Sequence, residues 1–237
     1  MKYKITKNTV QETLVIPLYG RKMCSERYPA LYRDETAIRL IDQIDYDFAA
    51  LEKKSGGLMQ RFGVLEAAMR QTDLAFEMRD YLKTHPNAAV VNLGCGLDDT
   101  AWFSRIDTSG GAVFFAAGVF YYFLKEQVRA LVQQMAEAFP GGVLVFDAAN
   151  EKAVRLMLKT WIKDAAIQDV GAYFAVADAR RELSAWDSRL HVSSRGYMLG
   201  YNDLKDPSVS GFFRFLSRIG DNRMNMQIVK IGFGDRR

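Results

Sequence analysis

The first part of the chain carries a helical pattern of apolar residues. In "DETAIRLIDQIDYDF" they recur at three- and four-residue spacing, at Ile38, Ile41, Ile44 and Phe48. This spacing predicts one amphipathic helix. The stretch "LMQRFGVLEAAMRQTDLAFEMRDYLK" continues the pattern, and Gly56-Gly57 separates the two. A glycine pair favours a turn, so the two stretches are predicted to be separate helices. Because this part of the chain is helical throughout, residues 1–87 are predicted to form a helical cap.

The pattern changes after "THPNA", where short apolar runs begin to alternate with amphipathic helices. The runs at 89–93, "GAVFFAAGVF", "VLVFDA", "RLHVSSRGYM" and "NMQIVKIGF" are predicted strands. Strands that are apolar throughout, separated by helices, indicate an α/β fold with a mostly parallel sheet covered on both faces. Residues 88–237 are therefore predicted to form an α/β domain, with a lid insertion near 195–220.

Composition and charge narrow the class of protein. A hydrophobic content of 49% with 25% charged residues is typical of a soluble domain. We see no apolar run of about 20 residues and no signal-peptide pattern, so the expectation is a cytoplasmic protein with no membrane partner. The net charge of +4 comes from basic residues interspersed with acids, which favours a solvated surface over nucleic-acid binding. Two isolated histidines and two cysteines, Cys24 and Cys95, predict free thiols and no metal site.

The stretch "VVNLGCGLDDT" has the pattern of a buried strand that ends in a glycine turn. Gly94 and Gly96 would let the backbone approach a ligand closely, with Asp98 as a hydrogen-bond acceptor. Asp99 stands where the third glycine of a dinucleotide fingerprint would fall, which disfavours a dehydrogenase. A cationic cofactor such as S-adenosylmethionine would tolerate the two carboxylates better than a pyrophosphate would. The alternative is a tight strand-to-helix turn with no ligand.

Three segments, "SERYPALYRDETAIRLIDQIDYDF", "VVNLGCGLDDT" and "FPGGVLVFDAAN", together resemble the leucine carboxyl methyltransferases and polyketide-synthesis O-methyltransferases. The resemblance implies the class I methyltransferase (Rossmann-like) fold and S-adenosylmethionine as cofactor. It assigns the cofactor site to Arg70, Gly94, Cys95, Gly96 and Asp98. In that family the arginine pairs with the cofactor carboxylate, a contact that suits a guanidinium. Without the resemblance, Arg70 is equally well interpreted as a solvent-facing helix charge.

The chain departs from the family pattern in two places. Where many members carry an acid after the fourth strand, this sequence has Ala116-Ala117-Gly118. The acid expected after the second strand would fall within "GAVFFAAGVF", which is apolar. The second and third strands are therefore predicted to be absent, with a join near Thr100-Ala101. Either the protein has lost this segment, or the protein has residues between Thr100 and Ala101 that are absent from this sequence. The first strand would then be an edge strand that favours self-association.

The sequence offers only weak candidates for catalysis, namely Tyr121, Tyr122, His191, Arg195 and Tyr197. The tyrosines at 121 and 122 follow the fourth strand, where a substrate could lie, although aromatic residues there also pack beneath helices. His191 could act as a base towards a phenol, yet a lone strand histidine is commonly structural. Arg195 and Tyr197 could meet an anionic acceptor.

Two functional hypotheses follow from these observations. The first is an S-adenosylmethionine-dependent O-methyltransferase that acts on a small molecule or a carboxylate acceptor. The second is a catalytically silent remnant of such an enzyme that pairs with itself as a homodimer through the exposed first strand.

Overall fold

The computed structural model describes residues 2–7, 9–54, 56–95, 106–163 and 171–234. Helices dominate the N-terminal part: α1 (Val10–Thr13), α2 (Val15–Arg27), α3 (Glu35–Gln43), α4 (Ala49–Lys54) and α5 (Leu58–Thr84). Two short strands, β1 (Tyr3–Lys4) and β2 (Ile44–Asp45), pair in parallel beside them. Helix α5 begins after the glycine pair, as predicted, whereas the short helix α4 was not predicted from the sequence.

The prediction of one helix through Phe48 is wrong beyond Gln43. Helix α3 begins after Asp34, whose carboxylate accepts a hydrogen bond from the backbone N–H of Ala37. It ends because Ile44 takes up an extended backbone and pairs with Tyr3 in β1. The β-branched side chain of Ile44 suits a strand as well as a helix stripe, so spacing alone did not separate the two.

The central sheet contains β3 (Ala89–Asn92), β4 (Ala112–Ala116), β5 (Val143–Ala148), β6 (Leu190–Gly196) and β7 (Gln227–Phe233). Their order is β3-β4-β5-β7-β6. Strands β3, β4 and β5 pair in parallel, and β7 pairs antiparallel with both β5 and β6. Every strand of this sheet except β7 therefore runs in one direction, which confirms the mostly parallel α/β fold.

Helices cover both faces of the sheet. Successive residues of a strand point to opposite faces and therefore pack in two different cores. Leu144 and Phe146 of β5 pack into a core with α6 (Lys125–Ala138) and α8 (Ala179–Ser184). Val143 and Val145 pack on the other face, in a core with α5 and α9 (Gly211–Met224). Helix α7 (Glu151–Met157) follows the end of β5. Helix α5 is thus part of the sheet's own covering layer.

Strand β3 lies at one edge of this sheet, and its neighbour among the described residues is β4. Val90 is 50% exposed, so part of the strand's apolar surface is open. The chain continues from β3 into a short 3-10 turn, Leu93–Cys95. The predicted join at Thr100-Ala101 lies outside the described residues. Within the described part of the chain, none of the helices is long and apolar enough to cross a membrane.

Candidate active site

A cavity of about 410 Å³ lies at the carboxyl ends of β4 and β5. Parallel strands of an open α/β sheet commonly bind ligands at this end. Residues of α1, α2, α4 and α5 line it together with residues of α7 and α9. Most lining residues are apolar, and the polar ones include Glu66, Arg70, Asp147 and three tyrosines at 121, 122 and 197.

An ion pair between Arg70 of α5 and Asp147 of β5 forms the polar base of this cavity. Arg70 Nη1 lies 3.4 Å from Asp147 Oδ2, and the other carboxylate oxygen accepts a 2.6 Å hydrogen bond from the N–H of Gly118. The side chains are 18% and 5% exposed, so Arg70 is not a solvent-facing charge. Burial lowers the pKa of Arg70, but Asp147, with further contributions from Tyr197, Tyr121 and Glu66, outweighs this and raises that pKa above its ordinary value.

The close approach of Arg70 to the β4 end depends on a glycine. Gly118 has a φ of +67°, a conformation that side chains rarely adopt. A Cβ at this position would lie 2.8 Å from Arg70 Nη1. The sequence Ala116-Ala117-Gly118, which lacks the family acid, therefore provides the space for the guanidinium that pairs with Asp147.

Glu66 lies one helical turn before Arg70 and also lines the cavity. Burial raises its pKa from 4.5 to about 7; Arg70 opposes this increase and Asp147 adds to it. Among the described residues its carboxylate has no hydrogen-bond partner, whereas its backbone carbonyl accepts a 3.2 Å bond from the hydroxyl of Tyr197. Glu66 is therefore a carboxyl group that is open to the cavity and titrates near neutrality.

The three tyrosines line the cavity as neutral hydroxyl groups. Burial raises the pKa of Tyr121 and of Tyr197 well above the usual value of 10.0, and Asp147 contributes to both increases. The pKa of Tyr122 is raised for the same main reason. These side chains can therefore donate or accept hydrogen bonds without adding charge.

The glycine turn at Gly94 lies beside the loop after β4, which contains Gly118. The N–H of Gly94 donates a 2.9 Å hydrogen bond to the side-chain oxygen of Asn92. A Cβ on Gly94 would lie 3.8 Å from Val119, the residue after Gly118. The structure thus brings Gly94 and Arg70 to neighbouring positions of one loop. Cys95 ends the 3-10 turn, and Gly96 and Asp98 lie outside the described residues.

His191 and Arg195 of β6 lie outside the cavity lining that the described residues form. His191 pairs with Gly232, which in turn pairs with Val143 at the beginning of β5. His191 is thus at the opposite end of the sheet from Asp147.

Arg195 belongs to a second charged cluster, around Glu77 of α5. The buried carboxylate of Glu77 lies 3.1 Å from Lys230 Nζ and 3.6 Å from Arg195 Nε. It also accepts a 2.9 Å hydrogen bond from the Tyr201 hydroxyl. The Arg195 guanidinium packs over the rings of Phe76 and Tyr201.

Sequence reasoning missed Glu66 and Asp147. Both left a signal in the chain, since Asp147 is the one charged residue in the apolar run "VLVFDA" and Glu66 precedes Arg70 by four residues. A charge in a fully buried strand needs a partner, which could have pointed to Arg70.

No family model matches the chain. It is 30% identical over 93 residues to the tetracenomycin polyketide synthesis O-methyltransferase TcmP of Streptomyces glaucescens. The match covers 39% of this chain and 32% of TcmP, so the chain spans about a third of that relative.

Among solved structures, a DUF574 family protein from Streptomyces avermitilis MA-4680 has a similar fold, with a TM-score of 0.55 and 7% identity, over 92% of this chain and 97% of that protein. An O-methyltransferase family protein from Burkholderia thailandensis gives a TM-score of 0.37 and 13% identity, over 93% of this chain and 72% of that protein. The chain thus has a mostly parallel α/β fold similar to that of the DUF574 family protein. The match to TcmP confirms the predicted resemblance to the polyketide-synthesis O-methyltransferases.

Proposed function

We propose that this chain is an S-adenosylmethionine-dependent O-methyltransferase whose ligands bind in the cavity at the carboxyl ends of β4 and β5. Its volume of about 410 Å³ lies within the range of small-molecule sites. A buried arginine, Arg70, in a cavity of this size supports the proposal, because the chain is similar to the O-methyltransferase TcmP.

The residues present fit the charges of S-adenosylmethionine. Arg70 contacts Asp147 through Nη1 alone, and among the described residues Nε and Nη2 have no hydrogen-bond partner. These donors suit the carboxylate of the cofactor. The carboxylates of Glu66 and Asp147 would favour its cationic ammonium and sulfonium groups.

When bound, the cofactor supplies an activated methyl group. The chain's own residues hold and position the reactants and exclude water from them, and positioning is the main requirement of such a transfer. Arg70 binds the cofactor carboxylate, Gly94 and Gly118 allow close backbone approach, and the apolar walls displace water. Tyr121 and Tyr122 orient a small-molecule acceptor through their neutral hydroxyls.

Calorimetric titration with S-adenosylhomocysteine tests the proposal. We expect saturable binding by the wild type, at least about tenfold weaker binding by Arg70→Lys, which keeps the charge but loses the fork, and unchanged binding by Arg155→Ala. Arg155 is 74% exposed in an ion pair with Glu151 and is the matched control. Absence of binding by the wild type at millimolar ligand would overturn the proposal.

The exposed edge strand supports the second candidate function, a non-catalytic chain that self-associates. Val90 is 50% exposed on β3, whose outer backbone groups have no strand partner among the described residues. Sedimentation velocity tests this: a dimer that Val90→Lys converts to a monomer, in a protein that binds no S-adenosylhomocysteine, would favour the second function over the first.

A further inference from the structure

We propose that Asp73 and Asp221 are positioning residues of the cavity, because they hold the turn after β6 that carries Tyr197 into the cavity wall. The hold weakens as the two carboxyl groups lose their protons. This Tyr197 turn comprises residues 196–200, and the N–H of its last residue closes it with a 3.1 Å hydrogen bond to the carbonyl of its first. The inference does not depend on which ligand the cavity binds.

The backbone of the Tyr197 turn is strained, and a helix side chain holds it in place. Met198 has a φ of +57°, in the left-handed region that side chains rarely adopt. Its N–H donates a 2.8 Å hydrogen bond to Asp73 Oδ2 of α5, and both residues are buried. Tyr197 is buried beside it, and its hydroxyl donates a 3.2 Å bond to the backbone carbonyl of Glu66. Asp73 therefore fixes the residue that follows Tyr197.

Asp221 of α9 lies against the beginning of the same turn. A Cβ at Gly196 would lie 2.6 Å from Asp221 Oδ2, so the carboxyl group needs a glycine there. The N–H of Tyr197 donates a 2.9 Å hydrogen bond to the carbonyl of Met226 and also faces Asp221. The two aspartates therefore lie on either side of Tyr197 along the chain, one against the residue before it and one against the residue after it.

Both carboxyl groups keep one oxygen without a partner. Oδ1 of Asp73 and Oδ1 of Asp221 are buried, and neither has a hydrogen-bond partner among the described residues. Two cations of the neighbouring strands, Arg195 and Lys230, pair with Glu77 instead. A buried carboxylate without full partners is costly when it is ionised, and a bound proton removes that cost.

The groups that face the pair favour its protonated form. Burial raises the pKa of Asp73 and that of Asp221 from 3.8 to about 7. The N–H groups of Met198 and Tyr197 oppose these increases, and the charge of Asp221 adds to the increase at Asp73. The hydroxyl of Tyr201 also senses Asp73, and it stays neutral because burial raises its own pKa.

The sign of the pH dependence follows from these raised pKa values. In an open turn, water reaches the carboxyl groups and their pKa values return towards 3.8. The closed turn is therefore held most firmly below that value, and the hold is lost as the pH rises towards about 7.

Amide hydrogen exchange of the wild type, followed by NMR from about pH 5 to about pH 7, tests the inference. Protection factors are taken relative to an unstructured peptide at each pH, so the intrinsic effect of pH on exchange cancels. We expect the protection of the Tyr197 and Met198 amides to fall at least about tenfold, since each group contributes up to about tenfold per pH unit. The amide of Val145, in the fully buried centre of β5, should stay more protected because the turn opens without global unfolding.

Substitution by asparagine keeps the shape of each side chain and removes its titration. The double variant Asp73→Asn with Asp221→Asn should show protection at Met198 that no longer depends on pH. Each single variant should keep about half of the wild-type dependence, on a logarithmic scale, because one titrating group remains. Asp42→Asn, at an exposed site on α3, is the matched control and should behave as the wild type.

The inference is overturned if the protection of Met198 in the wild type does not change with pH, or if the double variant keeps the wild-type dependence. Exchange of Met198 and Val145 at the same rate would also overturn it, because the turn would then open only on global unfolding. A parallel series contains millimolar calcium chloride. Protection that rises with calcium would overturn the inference too, because a cation rather than a proton would then compensate the pair. The wild-type series stands even if the asparagine variants do not fold.

Discussion

Two glutamates on helix α5, three turns apart, have opposite electrostatic surroundings. Glu66 lines the cavity and shares Arg70, the one cation of the cavity lining among the described residues, with Asp147. Glu77 is buried more deeply, at 4% exposure, yet two cations, Arg195 and Lys230, neutralise it. The number of charged partners, rather than depth alone, therefore distinguishes the surroundings of these two carboxyl groups.

Removal of a cation should lower stability most at Arg70, the one cation that the described cavity lining contains. We expect Arg70→Met to lower the free energy of unfolding by about 3–5 kcal/mol, because Asp147 is left buried and unpaired. Arg195→Met should lower it by about 1 kcal/mol or less, since Arg195 is 52% exposed and Lys230 still compensates Glu77. Urea unfolding measures both, and equal losses would contradict the comparison.

Neutralising each glutamate should shift stability in opposite directions. At pH 8 we expect Glu66→Gln to raise the free energy of unfolding by about 1–3 kcal/mol, because it removes an ionised group that the folded state disfavours. We expect Glu77→Gln to lower it by about 1–2 kcal/mol, because Arg195 and Lys230 lose their charged partner. Chemical denaturation of both variants beside the wild type would show this, and a destabilised Glu66→Gln would refute the account of Glu66.

The stability of the wild type should depend on pH in the direction set by raised carboxyl pKa values. Burial raises the pKa of Glu66 from 4.5 to about 7, and those of Asp73 and Asp221 from 3.8 to about 7. A carboxyl group with a raised folded-state pKa stabilises the protein fully below its unfolded pKa, and this contribution is lost as pH rises through the folded value. Unfolding free energy should therefore fall from about pH 4.5 to about pH 7, by up to about 1.4 kcal/mol per pH unit for each group.

Glu66→Gln should make the unfolding free energy depend less steeply on pH, because only Asp73 and Asp221 of these three groups then titrate. Thermal or urea unfolding at successive pH values measures it. A slope identical to that of the wild type would mean that Glu66 titrates normally.

The smallest effects should come from single hydroxyl groups. Tyr201→Phe removes the 2.9 Å hydrogen bond to the Glu77 carboxylate and should lower stability by about 1 kcal/mol. Tyr197→Phe removes a 3.2 Å bond to the backbone carbonyl of Glu66 and should cost about 0.5 kcal/mol. Both keep the aromatic ring, so a larger loss from Tyr197→Phe would show that its hydroxyl, rather than Glu66 itself, organises the cavity.

Much of the fold could be predicted from hydrophobic patterning. The apolar runs became the strands of the central sheet, and the glycine pair separates α4 from α5. The end of α3 could not be predicted, because Ile44 continues the helical stripe and only its pairing with Tyr3 places it in β2. Long-range pairing of this kind leaves no local pattern.

The candidate site could be predicted only in part. Arg70 and Gly94 followed from the family resemblance, and the structure places both beside the loop after β4, although their cofactor role stays a prediction. Arg195 and Tyr197 are two residues apart in sequence but reach different places, because β6 ends between them and Tyr197 turns into the cavity wall. The partnership of Arg70 with Asp147 spans 77 positions and depends on the packing of α5 on β5.

Burial and the sharing of Arg70 with Asp147 place the pKa of Glu66 near neutrality, and a carboxyl-carbon NMR titration of glutamate-labelled protein measures that pKa. The Glu66 resonance is identified by its loss in Glu66→Gln. We predict a midpoint about where burial places the pKa of Glu66, near 7. A midpoint at the ordinary glutamate value of 4.5 would contradict the account.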